Sequence, residues 1–252
     1  MKSSNAFLRS IVGLVFIAFS VTSVQASEFY WTDWTTEISP THFQGTIATP
    51  SSTITVDYTN LQGIAFFQNA GGPDYWADSS GVRDNATSPF TSEIVDNIPT
   101  GTDIVALMHA GYQTLQFSEA IANPVFSYVS LNGNGYAFLD QDFDVLSFGD
   151  SSDGNHNGYW GAGTSYKEVV DLGNGHIEYR LLGTGEPHGT IQFTGAFDTL
   201  TWRSMSDEYW NGFTVGIEGT AIEVLPEPSS FALLSIGAIG LFRTCLKNRE
   251  RA

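Results

Sequence analysis

Between residues 27 and 225, apolar side chains recur at every second position over short runs, and Gly, Asn, Asp or Pro separates one run from the next. Ile54 and Val56, Val125, Phe126 and Tyr128, Ile177, Tyr179 and Leu181, and Phe213, Val215 and Ile217 carry the pattern. A strand points successive side chains to opposite faces, so this period fits strands with one face buried. It predicts strands over 28–34, 53–58, 63–67, 103–109, 114–117, 125–131, 136–139 and 144–148. Five more follow over 166–172, 176–182, 190–193, 199–202 and 212–218. Gly-rich links such as NGNG (132–135) and LGNGH (172–176) suit tight hairpins that need φ > 0.

No stretch of this body shows the 3.6-residue period of an amphipathic helix, so crossover helices for a parallel sheet are lacking. The expected fold is all-β: one antiparallel, jelly-roll-like β-sandwich without an internal domain boundary. Residues 69–99, with GGP, SSG and SPF, read as an extended surface loop.

The two ends differ from the body. Lys2 and Arg9 precede the apolar run IVGLVFIAFSV (11–21), and small residues lead to Ala26. This is the layout of a secretory signal, placing a signal helix in residues 1–26. At the other end Pro226-Glu227-Pro228 blocks helix and strand alike, because two prolines fix φ and remove donors. Residues 231–242 are small and apolar, and Arg243, Lys247, Arg249 and Arg251 follow. By the positive-inside rule those bases stay in the cytoplasm and the body lies across the membrane. The expected organisation is a signal peptide (1–26), a single ectodomain (27–224) and a tail with a transmembrane sorting helix (225–252).

Charge supports the division. The chain has 10 Lys+Arg against 27 Asp+Glu, and residues 27–225 keep four bases against 25 acids, a net charge of −21. Such a body repels phosphate backbones, which argues against nucleic-acid partners. With 42% hydrophobic residues the chain still has the composition of a packed domain. The single cysteine, Cys245, lies in the tail, so the body has neither a disulfide nor thiol chemistry.

Taken together, Pro226, Glu227, Pro228, Ser229, the apolar run 231–242 and the basic end resemble the PEP-CTERM sorting signal of Gram-negative, exopolysaccharide-producing bacteria. The resemblance covers fewer than thirty residues, and here the bases are interspersed with Thr244, Cys245, Leu246 and Asn248. It implies an exosortase, a membrane transpeptidase, as partner, cleavage near the motif, and delivery of the body to the cell surface or matrix. Segments from NPVFSYVSL to WNGFTVGIEG are also similar to a recurring ectodomain of PEP-CTERM proteins, a likeness that implies the sandwich and no catalytic residue.

Candidate chemistry is sparse. In DGNHNG (153–158), Asp153, Asn155 and Asn157 followed by Gly158 match the opening half of an oxygen-ligand calcium loop. Thr164 stands where a bidentate Glu would complete it, and a polar hairpin loop has the same composition. Asp140, Asp142 and Asp144 alternate in DQDFD; on a strand they would share one face, either as further calcium ligands or as a solvated edge. Trp76, Tyr159 and Trp160 sit beside Gly-rich loops and are the candidate carbohydrate-stacking residues, with core packing the competing explanation.

Catalytic signatures are missing. The five histidines show no close zinc spacing, no G-x-S-x-G elbow occurs, and no pair such as Glu178 with Glu186 stands out among the acids. The expected role is therefore non-enzymatic: polysaccharide-associated binding or structure at the cell surface. A polysaccharide hydrolase or lyase on the same fold, and a purely structural surface protein, are the alternatives.

Overall fold

The structure, a computed structural model, describes residues 26–149 and 163–224. Among them, sixteen strands form two antiparallel sheets packed face to face. The nine-stranded sheet runs β11 (Gly163–Gly173), β12 (His176–Gly185), β9 (Tyr136–Leu139), β14 (Ala196–Ser204), β7 (Gly111–Ala122), β4 (Thr53–Asn60), β3 (His42–Ala48) and β2 (Asp33–Ser39). The short β16 (Gly219–Thr220) pairs with β7. The seven-stranded sheet runs β10 (Asp144–Phe148), β13 (Gly189–Gln192), β8 (Val125–Val129), β15 (Asn211–Ile217), β6 (Ile104–Leu107) and β5 (Phe66–Gln68), with β1 (Tyr30–Trp31) on β15. The one helix among the described residues, α1 (Ala221–Val224), is four residues long, and no helix there is long and apolar enough to cross a membrane.

Alternation decides which side chains meet between the sheets. Tyr58, Trp202 and Phe138 come from the larger sheet and Phe126, Phe213 and Tyr128 from the smaller. Phe126 and Phe213 stack at 4.7 Å between ring centroids, and Trp202 stands edge-on to both at 5.2 and 5.1 Å. Aromatic pairs of this kind add about 0.5–1.5 kcal/mol each beyond the area they bury.

The seven-stranded sheet is buried on its second face as well. Every residue of β6, β8 and β15 is buried. Residues 69–103, with 69–99 expected as a surface loop, contain no strand, yet they lie over this face. Trp76, Phe90 and Ile98 pack on Ile104 and Val129, while Phe29, Trp31 and Val95 pack on Val125. The segment is tied to the sheet: Ser147 donates to the Pro89 carbonyl at 2.7 Å and Thr190 to that of Phe90 at 3.1 Å. Arg83 grips both carboxylate oxygens of Asp74 at 2.6 and 2.7 Å and donates to the carbonyls of Pro99 and Gly101. So the loop composition is real, but its apolar residues form a lid over a sheet face.

One strand escapes the apolar pattern of the sequence although its burial alternates. β3 has Gly45 between Phe43 and Ile47, and a Cβ there would stand 3.1 Å from the Trp34 ring and 2.7 Å from the Thr32 methyl. The glycine leaves room for the indole on a neighbouring strand; in the sequence it reads as punctuation.

Candidate functional site

Among the described residues, the outer face of the nine-stranded sheet has no such cover. Register places Tyr112, Arg203, Ala137, Arg180 and Glu168 side by side across β7, β14, β9, β12 and β11. Direct antiparallel partners share a face, so these five form one transverse row. A second row begins at Thr114 and Thr201 on β7 and β14, and on β9, β12 and β11 it has Leu139, Glu178 and Val170.

The rows enclose a groove of about 240 Å³ lined by Tyr112, Ala137, Leu139, Gln141, Leu172, Glu178, Thr201 and Trp202. Its floor is low because Ala137 and Thr201 are small. Its rim is high because Tyr112 (63% exposed), Leu139 and Leu172 stand out from the sheet. Gln141 is fixed by two bonds to β14: its amide donates to the Thr199 carbonyl at 3.4 Å, and its carbonyl accepts from the Thr201 N–H at 3.3 Å.

Glu178 organises the polar part. It is 7% exposed, accepts from Arg180 Nε at 2.6 Å and from Arg203 Nη2 at 3.1 Å, and Arg180 Nη1 reaches on to Glu168 at 3.0 Å. Burial pushes the Glu178 carboxyl up, but the bonds and charges of the two arginines outweigh it and hold it below the ordinary glutamate value. The carboxylate therefore stays ionised at neutral pH, and the guanidinium planes are held still. The result is a rigid donor and acceptor lattice beside an exposed aromatic ring.

The sequence candidates fall elsewhere. Trp76 is fully buried: its Nε1 donates to the Asp103 carbonyl at 3.1 Å and its ring meets Phe90 at 5.1 Å. Its faces are covered, which corrects its assignment as a carbohydrate-stacking residue. Tyr159 and Trp160 lie outside the described residues, as do Asp153, Asn155 and Asn157 of the calcium reading and Pro226, Glu227 and Pro228 of the sorting motif.

The DQDFD alternation is not a strand. β9 ends at Leu139 and β10 begins at Asp144, so residues 140–143 carry the chain from one sheet to the other, with Asp140 at φ 54°. Asp140 bonds His176 at 2.6 Å and the Ile177 N–H at 2.8 Å, whereas Asp142 and Asp144 flank Lys167 at 2.9 and 3.6 Å. Asp140 thus pairs with the start of β12, while Asp142 and Asp144 share the Lys167 ammonium. Among the described residues, no group of three or more His, Cys, Asp or Glu side chains is arranged to hold a metal ion.

Two carboxylates that no spacing picked out do come together near NGNG. Asn132 donates from its side chain to Glu186 at 3.0 Å and from its backbone to Glu208, and Asn211 donates to Glu208 at 2.9 Å. Burial raises the Glu208 carboxyl to about 7, with Glu186 adding to it against the hydrogen bonds from Asn211 and Asn132. Ser130 completes the set by donating to Glu186 at 3.0 Å, so these groups brace the loops at one end of the sandwich.

No family model, curated protein or solved structure matches the chain significantly. The site therefore stands on its own geometry.

Proposed function

We propose that the protein is an exported, surface- or matrix-associated β-sandwich that binds polysaccharide in the open groove of its nine-stranded sheet. The observation that carries this reading is the pairing of the exposed Tyr112 ring with the Arg203–Glu178–Arg180 lattice around a floor of small residues. A pyranose presents a C–H-rich face to an aromatic ring and hydroxyls at its edge. The groove offers the complement of both. Rigid donors and acceptors matter here, because each hydroxyl taken from water must find a partner of equal quality.

The body's charge narrows the ligand. At −21, it repels polyanionic chains, so neutral polysaccharides are favoured. The jelly-roll-like ectodomain, the signal helix, the PEP-CTERM tail read by an exosortase, and calcium at Asp153, Asn155 and Asn157 belong to the same proposal. They rest on the sequence pattern alone.

Affinity electrophoresis of the full chain through gels containing neutral or acidic polysaccharides tests the binding claim. Retardation by a neutral polymer is expected, with Tyr112→Ala weakening it about tenfold or more. Equal mobility in every gel, or retardation that Tyr112→Ala leaves unchanged, would refute the groove as the site.

A hydrolase or lyase reading draws on Glu208, whose carboxyl is raised by burial to about 7, the range in which a general acid works at neutral pH. Release of reducing ends from a bound polysaccharide, lost in Glu208→Gln, would favour that reading over simple binding.

A further inference from the structure

β11 is the outermost strand of the nine-stranded sheet. β12 pairs with one side of it, and among the described residues no strand pairs with the other. An open edge offers a row of N–H and C=O groups to any strand that can align with it. The other three sheet ends are guarded. β2 has two register shifts and carries Asp33 and Glu37; β10 is five residues long with a shift of its own; β5 is three residues long. β11 runs for eleven residues, and its single shift lies at the tip, between Asp171 and Gly173. It also exposes Tyr166, Val169 and Leu172. Length, regularity and exposed apolar residues together make this the one sheet end built to be joined.

We infer that the occupant is a second copy of this chain, paired antiparallel along β11 about a two-fold axis at Val169. The sequence of the strand selects that register. In a continuous sheet, partners must lie on the same face, which restricts the axis to a residue position. An axis at Lys167 or Glu168 sets two like charges directly opposite each other, which is unfavourable. An axis at Val170 puts Lys167 opposite Gly173 and leaves its charge unmatched. With the axis at Val169, that residue meets its own copy, Lys167 meets Asp171 of the second copy, and Tyr166 meets Leu172. Each of the latter pairs occurs twice by symmetry, as an isologous interface requires.

The monomer leaves the necessary groups available. Asp171 is exposed. Lys167 Nζ donates to Asp142 at 2.9 Å and to the Phe143 carbonyl at 2.6 Å, which uses two of the three ammonium protons. The third faces Asp144 at 3.6 Å, the longest of the three contacts, and would turn to Asp171 of the second copy. The opposing force is the repulsion of two acidic bodies, screened at physiological salt over about 8 Å.

Sedimentation equilibrium and disulfide trapping of the full chain test the pairing. In a Cys245→Ser background, Val169→Cys is expected to give a disulfide-linked dimer about tenfold faster than Thr36→Cys on the guarded β2 edge, because the axis brings the two Cβ atoms to about 5 Å. Val169→Lys places two ammonium groups on the axis and should raise the dimer dissociation constant about tenfold or more, leaving circular dichroism and the melting midpoint unchanged. A monomer throughout the concentration series, a dimer indifferent to Val169→Lys, or equal trapping at positions 169 and 36 would each overturn the proposal.

Discussion

The two sheets differ in what lies on their outer faces, and that difference separates stability from function in this molecule. The seven-stranded sheet is sealed on both sides, by its partner sheet and by residues 69–103. Its central strands β6, β8 and β15 are buried throughout and carry no charged side chain. The nine-stranded sheet buries one face and leaves on the other a row of titratable and aromatic side chains. A covered face can only stabilise, whereas an open one can also recognise. Substitutions on the two faces should therefore have opposite signatures.

The largest effect is expected under the cover. Trp76→Ala removes a fully buried indole between the 69–103 segment and the sheet and should cost about 3–5 kcal/mol in denaturant unfolding. A loss below about 0.5 kcal/mol is the behaviour of a surface loop and would dissolve the contrast. Next comes Gly216→Ala on β15. The new Cβ would stand 2.8 Å from the Trp31 ring, an overpacking cost of about 1–3 kcal/mol by the same measurement.

The polar lattice should rank third. Glu178→Gln leaves Arg180 and Arg203, each about a quarter exposed, without their shared carboxylate, at a cost of about 1–2 kcal/mol after allowance for that exposure. Buried carboxyls give a smaller, pH-dependent effect. Burial, and the charge of Asp33, raise Asp103 to about 6, and Glu208 stands at about 7. Both hold a proton more tightly folded than unfolded. Their contribution is complete below the unfolded carboxylate value of about 4 and is lost as pH rises through about 6 and about 7. Thermal melts should show stability falling from about pH 5 to about pH 8, by about 1 kcal/mol per group after solvent screening. Glu208→Gln should flatten the upper part of that decline. Smallest of all, Tyr112→Ala should change stability by less than about 0.5 kcal/mol while removing glycan binding.

The strands were legible where the two faces of a strand differ in polarity. Ile54, Val56 and Leu181 point to the core and Tyr179 packs against it, and period two reports that contrast directly, whereas Ile177 at the start of the same run is exposed. Three features escaped for separate physical reasons. β3 is broken in sequence by Gly45, whose missing side chain makes room for Trp34. The cover has Trp76, Phe90, Val95 and Ile98 at irregular intervals on coil, and coil burial has no period to detect. In DQDFD the alternation was true of the residues but false of the backbone, since the chain changes sheets there.

The groove was hidden more deeply. Tyr112, Ala137, Glu178 and Arg203 come from four strands far apart in sequence, and only register assembles them. One signal was present: three of the four bases in the body, Lys167, Arg180 and Arg203, fall in its second half. In so acidic a chain each needs carboxylate partners, and Glu178 is the one shared by two of them.

Hydroxyl-radical footprinting of the full chain, read residue by residue by mass spectrometry, tests the unequal covering of the two sheets most directly. Tyr112 should oxidise readily and Trp76 should stay silent until the protein unfolds, with Tyr112 alone of the two protected by a bound neutral polysaccharide. Trp76 reacting as fast as Tyr112 in the folded protein would mean that residues 69–103 do not seal the seven-stranded sheet, and the division of labour between the sheets would fail.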